Sequence, residues 1–536
     1  MNDNYDVIII GSGLGALSTA SVLSQLKNKR VLILEKHWKI GGYTHTFKRK
    51  GPNGHYEWDV GLHYVGRMDE GKFPRILFDY VTRGGVKWQK MPPVYDCFNY
   101  PGLKFNVHEG FHRFKSDLKE TFPDESNNLD IYFSDLLNAS KWYGKFNILS
   151  FLPNWISMWF QFILKRDEAQ FLQTTKEYLD NRFEDYKLKA VLTSQFGDYG
   201  LPPSKSPFIM HALLTQHYFG GGYYPKGGSK VISDSIIPII KKSGGDLLVN
   251  HEVKNLIIRN NKAVGVKAIS RIKGEKDVEV EFRAPVIISN IGAFNTYTKL
   301  IPLQHCQSFR KEIESFPGGT SVITLYLGLK EDPATLGFKG ENHWIYKSFD
   351  HDENFGSRND IINGNVSGAY LSFPSMKTDH LEGHTIEIIS FADCEPFHKW
   401  KNEKWKKRGE DYEKLKTKIA DAMLDFVESY YPGFREIIDF QEISTPLSNE
   451  FFTSHLNGTI YGIPAIPERF KAKWINHRTP VKNLLMVGAD TATGPGIFPA
   501  LVSGILAASI VLGISYNPYR IFKIAKKYQN NLSTDG

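Results

Sequence analysis

Near its start the chain carries a short unbroken apolar run, Val7-Ile8-Ile9-Ile10. It has no polar alternation, so it predicts a strand buried on both faces. Gly11-Ser12-Gly13-Leu14-Gly15-Ala16 interrupts it. A helical pattern follows over Leu17–Leu26, and a second apolar run, Val31–Leu34, ends in Glu35. The same grammar returns near the other end, where Leu484–Val487 predicts a buried strand. It passes through Gly488-Ala489-Asp490 and Gly494-Pro495-Gly496 into a helical run, Phe498–Ile510, rich in small residues. A middle stretch predicts a helix over Val231–Lys241 after Pro225-Lys226-Gly227-Gly228-Ser229. It continues with a strand at Leu247–Val249 and a hairpin turning at Asn260-Asn261. Two longer stretches lie between these pieces. Residues 76–217 read as mainly helical and rich in aromatic residues. Residues 296–477 mix strands, Val322–Leu329 and Thr385–Phe391, with a helix over Tyr412–Tyr430. The stripe Leu415, Ile419, Phe426 and Tyr430 on that helix predicts a core face.

The first unit carries specific chemistry. Strand, glycine turn, helix, strand and acid, with the acid a little over twenty residues past the glycines, form a dinucleotide-binding fingerprint. Gly11 allows the tight turn, Gly13 lets a pyrophosphate approach the backbone, and the small Ala16 lets helix and strand pack closely. The helix N-terminus faces the phosphate charge. Glu35 is placed to accept hydrogen bonds from a ribose diol. A second glycine pair, Gly41-Gly42, suits a loop lying along an extended FAD rather than NAD. The expected cofactor contacts are Gly11, Gly13, Leu14, Gly15, Ala16, Glu35, Lys36, Gly41, Gly42, Thr44, His45, Val253, Gly488, Asp490, Gly496, Ile497 and Phe498.

Composition narrows the class. The chain has 536 residues, a net charge of +8, and 41% hydrophobic against 23% charged residues, which excludes disorder, collagen and coiled coil. A mean hydropathy of −0.33 excludes a polytopic membrane protein but leaves a monotopic one open. Cys97, Cys306 and Cys394 lie far apart, so a disulfide framework and a thiolate zinc site are not expected, and a reducing compartment is. Two segments suit a membrane surface. Phe146–Leu164 carries Trp155 and Trp159 and is followed by Lys165-Arg166; Asn147, Pro153, Asn154 and Gln161 make it too polar to span. The tail from Tyr519 to Tyr528 is basic and amphipathic; the alternatives are a buried helix of the substrate domain for the first segment and a solvated surface helix for the tail. Peripheral attachment to the cytoplasmic face of a membrane is the expectation. No nucleic-acid pattern, metal-ligand cluster or Ser/His/Asp arrangement stands out.

Taken together, these motifs resemble the FAD-dependent amine-oxidase-like flavoproteins, and within them the carotenoid desaturases and isomerases and the retinol saturases. Glu57-Trp58-Asp59-Val60-Gly61-Leu62-His63-Tyr64-Val65-Gly66, Gly197-Asp198-Tyr199-Gly200-Leu201-Pro202-Pro203 and Gly222–Ser229 resemble the retinol saturase branch. Ala16 replaces the glycine that many relatives carry. The resemblance implies an α/β fold: a Rossmann-like FAD-binding domain, discontinuous over 1–75, 218–295 and 478–515. It is interleaved with a substrate domain made of a helical, membrane-proximal part (76–217) and a mixed α+β part (296–477), followed by a basic tail (516–536). It implies hydride transfer to or from a carbon–carbon bond of a polyene isoprenoid, with a further electron donor or acceptor. The flavin carries the difficult chemistry, so the protein needs one group to supply or remove a proton. His63 and Tyr64 are the candidates, with a hydrogen-bonded structural place beside the flavin as the alternative for His63; His45 and His217 stand behind them, and Tyr223 and Tyr224 are expected to shape the pocket floor. The alternatives are a flavin-dependent isomerase, a non-catalytic prenyl-binding protein on the same fold, and an amine oxidase.

Overall fold

The computed structural model describes residues 5–151, 165, 167–271, 276–378, 382–514 and 519–534. Five strands, all parallel, form one sheet in the order Asp246–Leu248, Val31–Leu34, Val7–Ile10, Val286–Ser289, Leu484–Met486. Its central strands are buried along their whole length, which is why they read as unbroken apolar runs. Segments far apart in the chain thus meet in one sheet. The helix Leu14–Lys27 lies against the helix Ile497–Val511, and the small residues noted there explain how closely. A Cβ on Gly504 would sit 1.8 Å from Ser18 Oγ and 2.3 Å from the Gly15 carbonyl. Ser18 and Thr19 donate across the contact to the carbonyls of Leu501 and Gly504, at 3.0 and 3.1 Å. A three-stranded antiparallel sheet, His251–Arg259, Lys262–Ser270 and Val278–Arg283, flanks this layer. Its first turn is the two-residue Asn260-Asn261, both left-handed with φ of 50° and 56°, as a tight hairpin requires.

A second, seven-stranded sheet runs in the order Ile438–Ser444, Val322–Leu329, His384–Phe391, Gly368–Ser372, Asn342–Tyr346, Val94–Tyr100, Leu103–His108. One face packs under the helix Glu410–Glu428, where Ile419 is fully buried and Leu415, Phe426 and Tyr430 pack at the margin. The other face meets a layer of helices with an aromatic core that includes Phe98, Tyr100, Phe133, Phe183 and Phe208. Trp58 joins the two parts of the molecule by donating its indole N–H to the Leu327 carbonyl at 3.0 Å.

The stretch 76–217 is not simply helical. Trp88–Lys90, Val94–Tyr100 and Leu103–His108 are strands, and the latter two complete the large sheet. The sequence pattern hides Val94–Tyr100 because Asp96 and Asn99 place polar side chains in a strand buried from Tyr95 onward. The proposed interfacial segment Phe146–Leu164 falls mostly outside the described residues. The helix Ser126–Phe151 covers its beginning, and Phe146 stacks on Trp142 and Tyr143. The basic tail is a helix, Tyr519–Thr534, whose apolar face is already covered. Ile521 and Ala525 are fully buried, and Phe522 and Tyr528 meet Phe73 and Tyr80 of the helix Phe73–Thr82. Arg520, Lys523, Lys526 and Lys527 face outward. No helix among the described residues is long and apolar enough to cross a membrane.

Candidate active site

A cavity of about 500 Å³ runs from the first glycine loop into the face of the large sheet. Its first half is walled by backbone. Gly13 precedes the helix Leu14–Lys27 and Gly496 precedes Ile497–Val511, and neither helix start is capped by a side chain. Their unsatisfied N–H groups therefore form an anion site. The cradle admits no side chains. A Cβ on Gly13 would lie 2.7 Å from Asn290 Nδ2, one on Gly15 2.8 Å from Asn290 Oδ1, and one on Gly42 2.9 Å from the Gly13 Cα. Asn290, at the end of the strand Val286–Ser289, thus clasps the glycine loop, a role the sequence did not suggest.

Glu35 closes this half, held in place rather than free. Oε2 accepts from the Ser12 amide and hydroxyl at 2.8 and 2.7 Å, and Oε1 accepts from the His37 amide at 2.8 Å. Asp490 joins two loops, accepting from the Ala293 and Ile463 amides at 2.8 Å each. Lys36 is turned to the Phe451 carbonyl and the Ser454 hydroxyl, and burial pushes its pKa down. Of the expected cofactor contacts, Gly11, Gly13, Leu14, Gly15, Glu35, Lys36, Gly41, Gly42, Thr44, His45, Val253, Gly488, Asp490, Gly496 and Ile497 line the cavity. Ala16 and Phe498 do not. Ala16 is fully buried in the helix–strand packing, and Phe498 turns outward to Phe73. Backbone donors, a glycine cradle and a fixed carboxylate fit the pyrophosphate and ribose of FAD.

The second half is aromatic, lined by Phe196, Trp344, Tyr346, Tyr370, Phe391 and Tyr461. His63 stands in the wall, its ring 5.5 Å from that of Tyr370. Its Nδ1 is buried 2.8 Å from Oε2 of Glu387, without the alignment of an N–H···O bond. The side chain keeps 19% exposure, so the opposite edge of the ring, bearing Nε2, meets the cavity. Burial and the Lys377 charge lower the His63 pKa to about 4, so the ring is neutral at pH 7. Glu387 is fully buried, and among the described residues neither of its oxygens has a well-aligned hydrogen-bond partner. Desolvation raises its pKa to about 8.

Tyr64 is not at the cavity wall. It lies behind it, buried and stacked on Tyr218 at 4.2 Å, with its hydroxyl between Asp198 and Asp96 at 2.8 and 3.1 Å. Tyr223 and Tyr224 are also away from the lining. They bond Asp69 and Asp59, and Asp59 is raised to about 6, first by burial and then by Glu387. His217 accepts the Gly66 amide at 2.8 Å and does not line the cavity. Lys377, lowered to about 8 by burial, donates to the His63 carbonyl, Asn342 Oδ1 and Ser372 Oγ at 2.9, 2.6 and 2.8 Å. Asp198, Glu387, Lys377 and Asp96 were missing from the sequence-based site. The available signal was an acid inside an apolar strand, Ile386-Glu387-Ile388, and an acid between glycines, Gly197-Asp198-Tyr199-Gly200.

The model of the family described as flavin containing amine oxidoreductase matches residues 17–512. An all-trans-retinol 13,14-reductase of Danio rerio is 32% identical over 98% of this chain and 89% of its own length. A chloroplastic prolycopene isomerase of Daucus carota is 26% identical over 94% of this chain and 79% of its own. Among solved structures, a putrescine oxidase variant superposes with a TM-score of 0.62 at 13% identity, covering 95% of this chain and 99% of that one, a likeness of fold alone. The chain is a member of the flavin containing amine oxidoreductase family, with FAD as its cofactor and an oxidoreductase's role.

Proposed function

We propose that this protein saturates or desaturates one carbon–carbon bond of a polyene isoprenoid of the retinoid or carotenoid type. The observation that carries the reading is the joined cavity. A backbone cradle for FAD opens directly into an aromatic chamber, with His63 at its wall and Glu387 buried behind it. When bound, FAD supplies the two-electron, hydride-transferring chemistry. The chain does the rest. Gly13 and Gly496 present amides to the pyrophosphate, Glu35 receives ribose hydroxyls, and the aromatic rings hold the polyene and keep water out. Glu387 stores a proton at its carboxyl and passes it to Nδ1 of His63, whose Nε2 edge releases one to the carbon skeleton. The neutral His63 and the protonated Glu387 suit that relay at pH 7.

The test is an anaerobic single turnover. Flavin-loaded protein, reduced with dithionite, is mixed with all-trans-retinol or prolycopene, and the products are separated by chromatography. Saturated product with reoxidation of the 450-nm band supports the reading. Geometric isomer alone with no net redox change moves the function to isomerisation. No conversion of either polyene sinks both.

The outward basic face of the tail helix supports peripheral, electrostatic attachment to the cytoplasmic face of a membrane, because its apolar face is occupied by the helix Phe73–Thr82. Co-sedimentation with phosphatidylserine vesicles that disappears at high salt is the expected result. Recovery wholly in the supernatant at low salt excludes it. An external electron donor resets the flavin in this scheme. Its test is flavin reduction by NADPH alone against NADPH with a reductase.

A further inference from the structure

The aromatic half of the cavity contains an acid that a hydrocarbon does not need. Asp198 closes the short turn Ser194–Asp198 and lines the chamber beside Phe196 and Tyr370. Its Oδ2 accepts from the Tyr64 hydroxyl at 2.8 Å, while Oδ1 makes no hydrogen bond among the described residues. The support behind it is extensive. The Tyr64 hydroxyl also reaches Asp96 Oδ2 at 3.1 Å, and Asp96 accepts from Gln195 at 2.6 Å and from Asn342 at 2.9 Å. Asn342 in turn takes a proton bond from Lys377 at 2.6 Å. The carboxyl is thereby held from separate strands and turns, the way a binding group is preorganised.

The hydrogen count is informative. One tyrosine hydroxyl has one hydrogen and cannot donate to two carboxylates at once. With the Tyr64 hydrogen given to Asp198, its contact with Asp96 at 3.1 Å is a hydrogen bond only if Asp96 carries a proton of its own. Burial, with the neighbouring carboxylate next in importance for Asp198, pushes Asp96 up to about 7 and Asp198 up to about 8. Oδ1 of Asp198, unpaired among the described residues, is an acceptor for a ligand hydroxyl, and a carboxyl whose pKa burial has raised suits an uncharged alcohol rather than a cation. Two further polar atoms on lining residues, the Tyr370 hydroxyl and the Trp344 indole N–H, are buried without partners among the described residues. A hydrocarbon in this chamber would leave all of them unpaired, and such a site discriminates against ligands lacking the matching group.

We propose that Asp198 is a specificity-determining residue that receives the polar terminus of the polyene, so that the site selects a polyene alcohol over the hydrocarbon with the same chain. This rests on the polyene reading of the cavity. The experiment is equilibrium binding to flavin-loaded protein by quenching of its intrinsic fluorescence. The probes are all-trans-retinol and its deoxy hydrocarbon, axerophthene. The wild type should prefer the alcohol by about tenfold or more, the equivalent of at least ~1.4 kcal/mol. Asp198→Ala should bring the two affinities to within about twofold with flavin content unchanged. Asp198→Asn, which still offers an acceptor, should keep part of the preference. A wild type that binds both equally, or an Asp198→Ala protein with undiminished preference, overturns the inference. The wild-type comparison decides alone if the alanine variant does not fold. Failure of both probes to bind a flavin-loaded wild type overturns the polyene reading and this inference with it, whereas equal binding overturns the inference alone.

Discussion

The two halves of the cavity are built on opposite principles. The flavin half is made of backbone: uncapped helix starts at Gly13 and Gly496, a cradle too narrow for a Cβ, and a carboxylate, Glu35, pinned by amides. The polyene half is made of side chains that the large sheet gathers from distant segments, with buried charges set among aromatic rings. Backbone sites demand glycine at fixed spacing and fail when any side chain appears. Side-chain sites tolerate changes of shape but depend on who holds the proton. The comparison predicts two kinds of damage. Lesions in the first half should empty the flavin site, and lesions in the second should leave it full and stop the chemistry.

The largest effect should come from the cradle. A valine at position 13 would place Cβ 2.7 Å from Asn290 Nδ2 and add bulk where the pyrophosphate approaches the helix start. Gly13→Val should purify without flavin and regain less than about a tenth of wild-type occupancy with added FAD, read as 450-nm absorbance per protein. A folded Gly13→Val protein with full occupancy would break the contrast between the halves. Asn290→Ala, which removes the clasp but blocks nothing, should weaken flavin retention by a smaller factor.

The converse experiment is at the chamber wall and the buried carboxyl behind it. His63→Gln and Glu387→Gln should both keep their flavin and slow single-turnover saturation of all-trans-retinol by roughly 10²–10⁴-fold, the usual contribution of a positioned acid. The two together should cost little more than one, because Glu387 acts through His63. Additive losses would show that they serve separate steps. Tyr64→Phe, a change behind the wall, should reduce activity less and act mainly through the placement of Asp198.

This contrast also explains what the sequence made legible. The parallel sheet, the glycine loop, Glu35 and the hairpin at Asn260-Asn261 follow from local rules: an apolar run, a required backbone conformation, a fixed spacing. His63 was visible as a titratable group beside apolar neighbours. Its partner was not, because the strand His384–Phe391 lies more than three hundred residues away in sequence and only sheet pairing brings Glu387 to it. The strand Val94–Tyr100 is hidden for a local reason. Its buried Asp96 breaks the apolar pattern, and Asp96 is there to bond Tyr64, Gln195 and Asn342. Ala16 and Phe498, by contrast, sit within the motif spacing but face packing rather than the cavity, as helix periodicity dictates.

The smallest predicted effect is on stability, and it separates a proton store from a packing residue. Glu387 has a folded-state pKa near 8, above its ordinary value of 4.5, so it takes up a proton on folding between those limits. Stability from this group is complete below pH 4.5 and falls as pH rises through 8, by at most about 1.4 kcal/mol per pH unit. Asp59, Asp96 and Asp198, also raised, act in the same direction. Lys377, lowered from 10.5 to about 8, works the other way but in the window above pH 8. Glu387→Gln removes one titration and keeps the shape. Its melting temperature relative to wild type should therefore rise by a few degrees between pH 6 and pH 8. A difference that stays constant with pH would mean that Glu387 is already ionised at neutral pH. The proton passed to His63 would then have to come from another group.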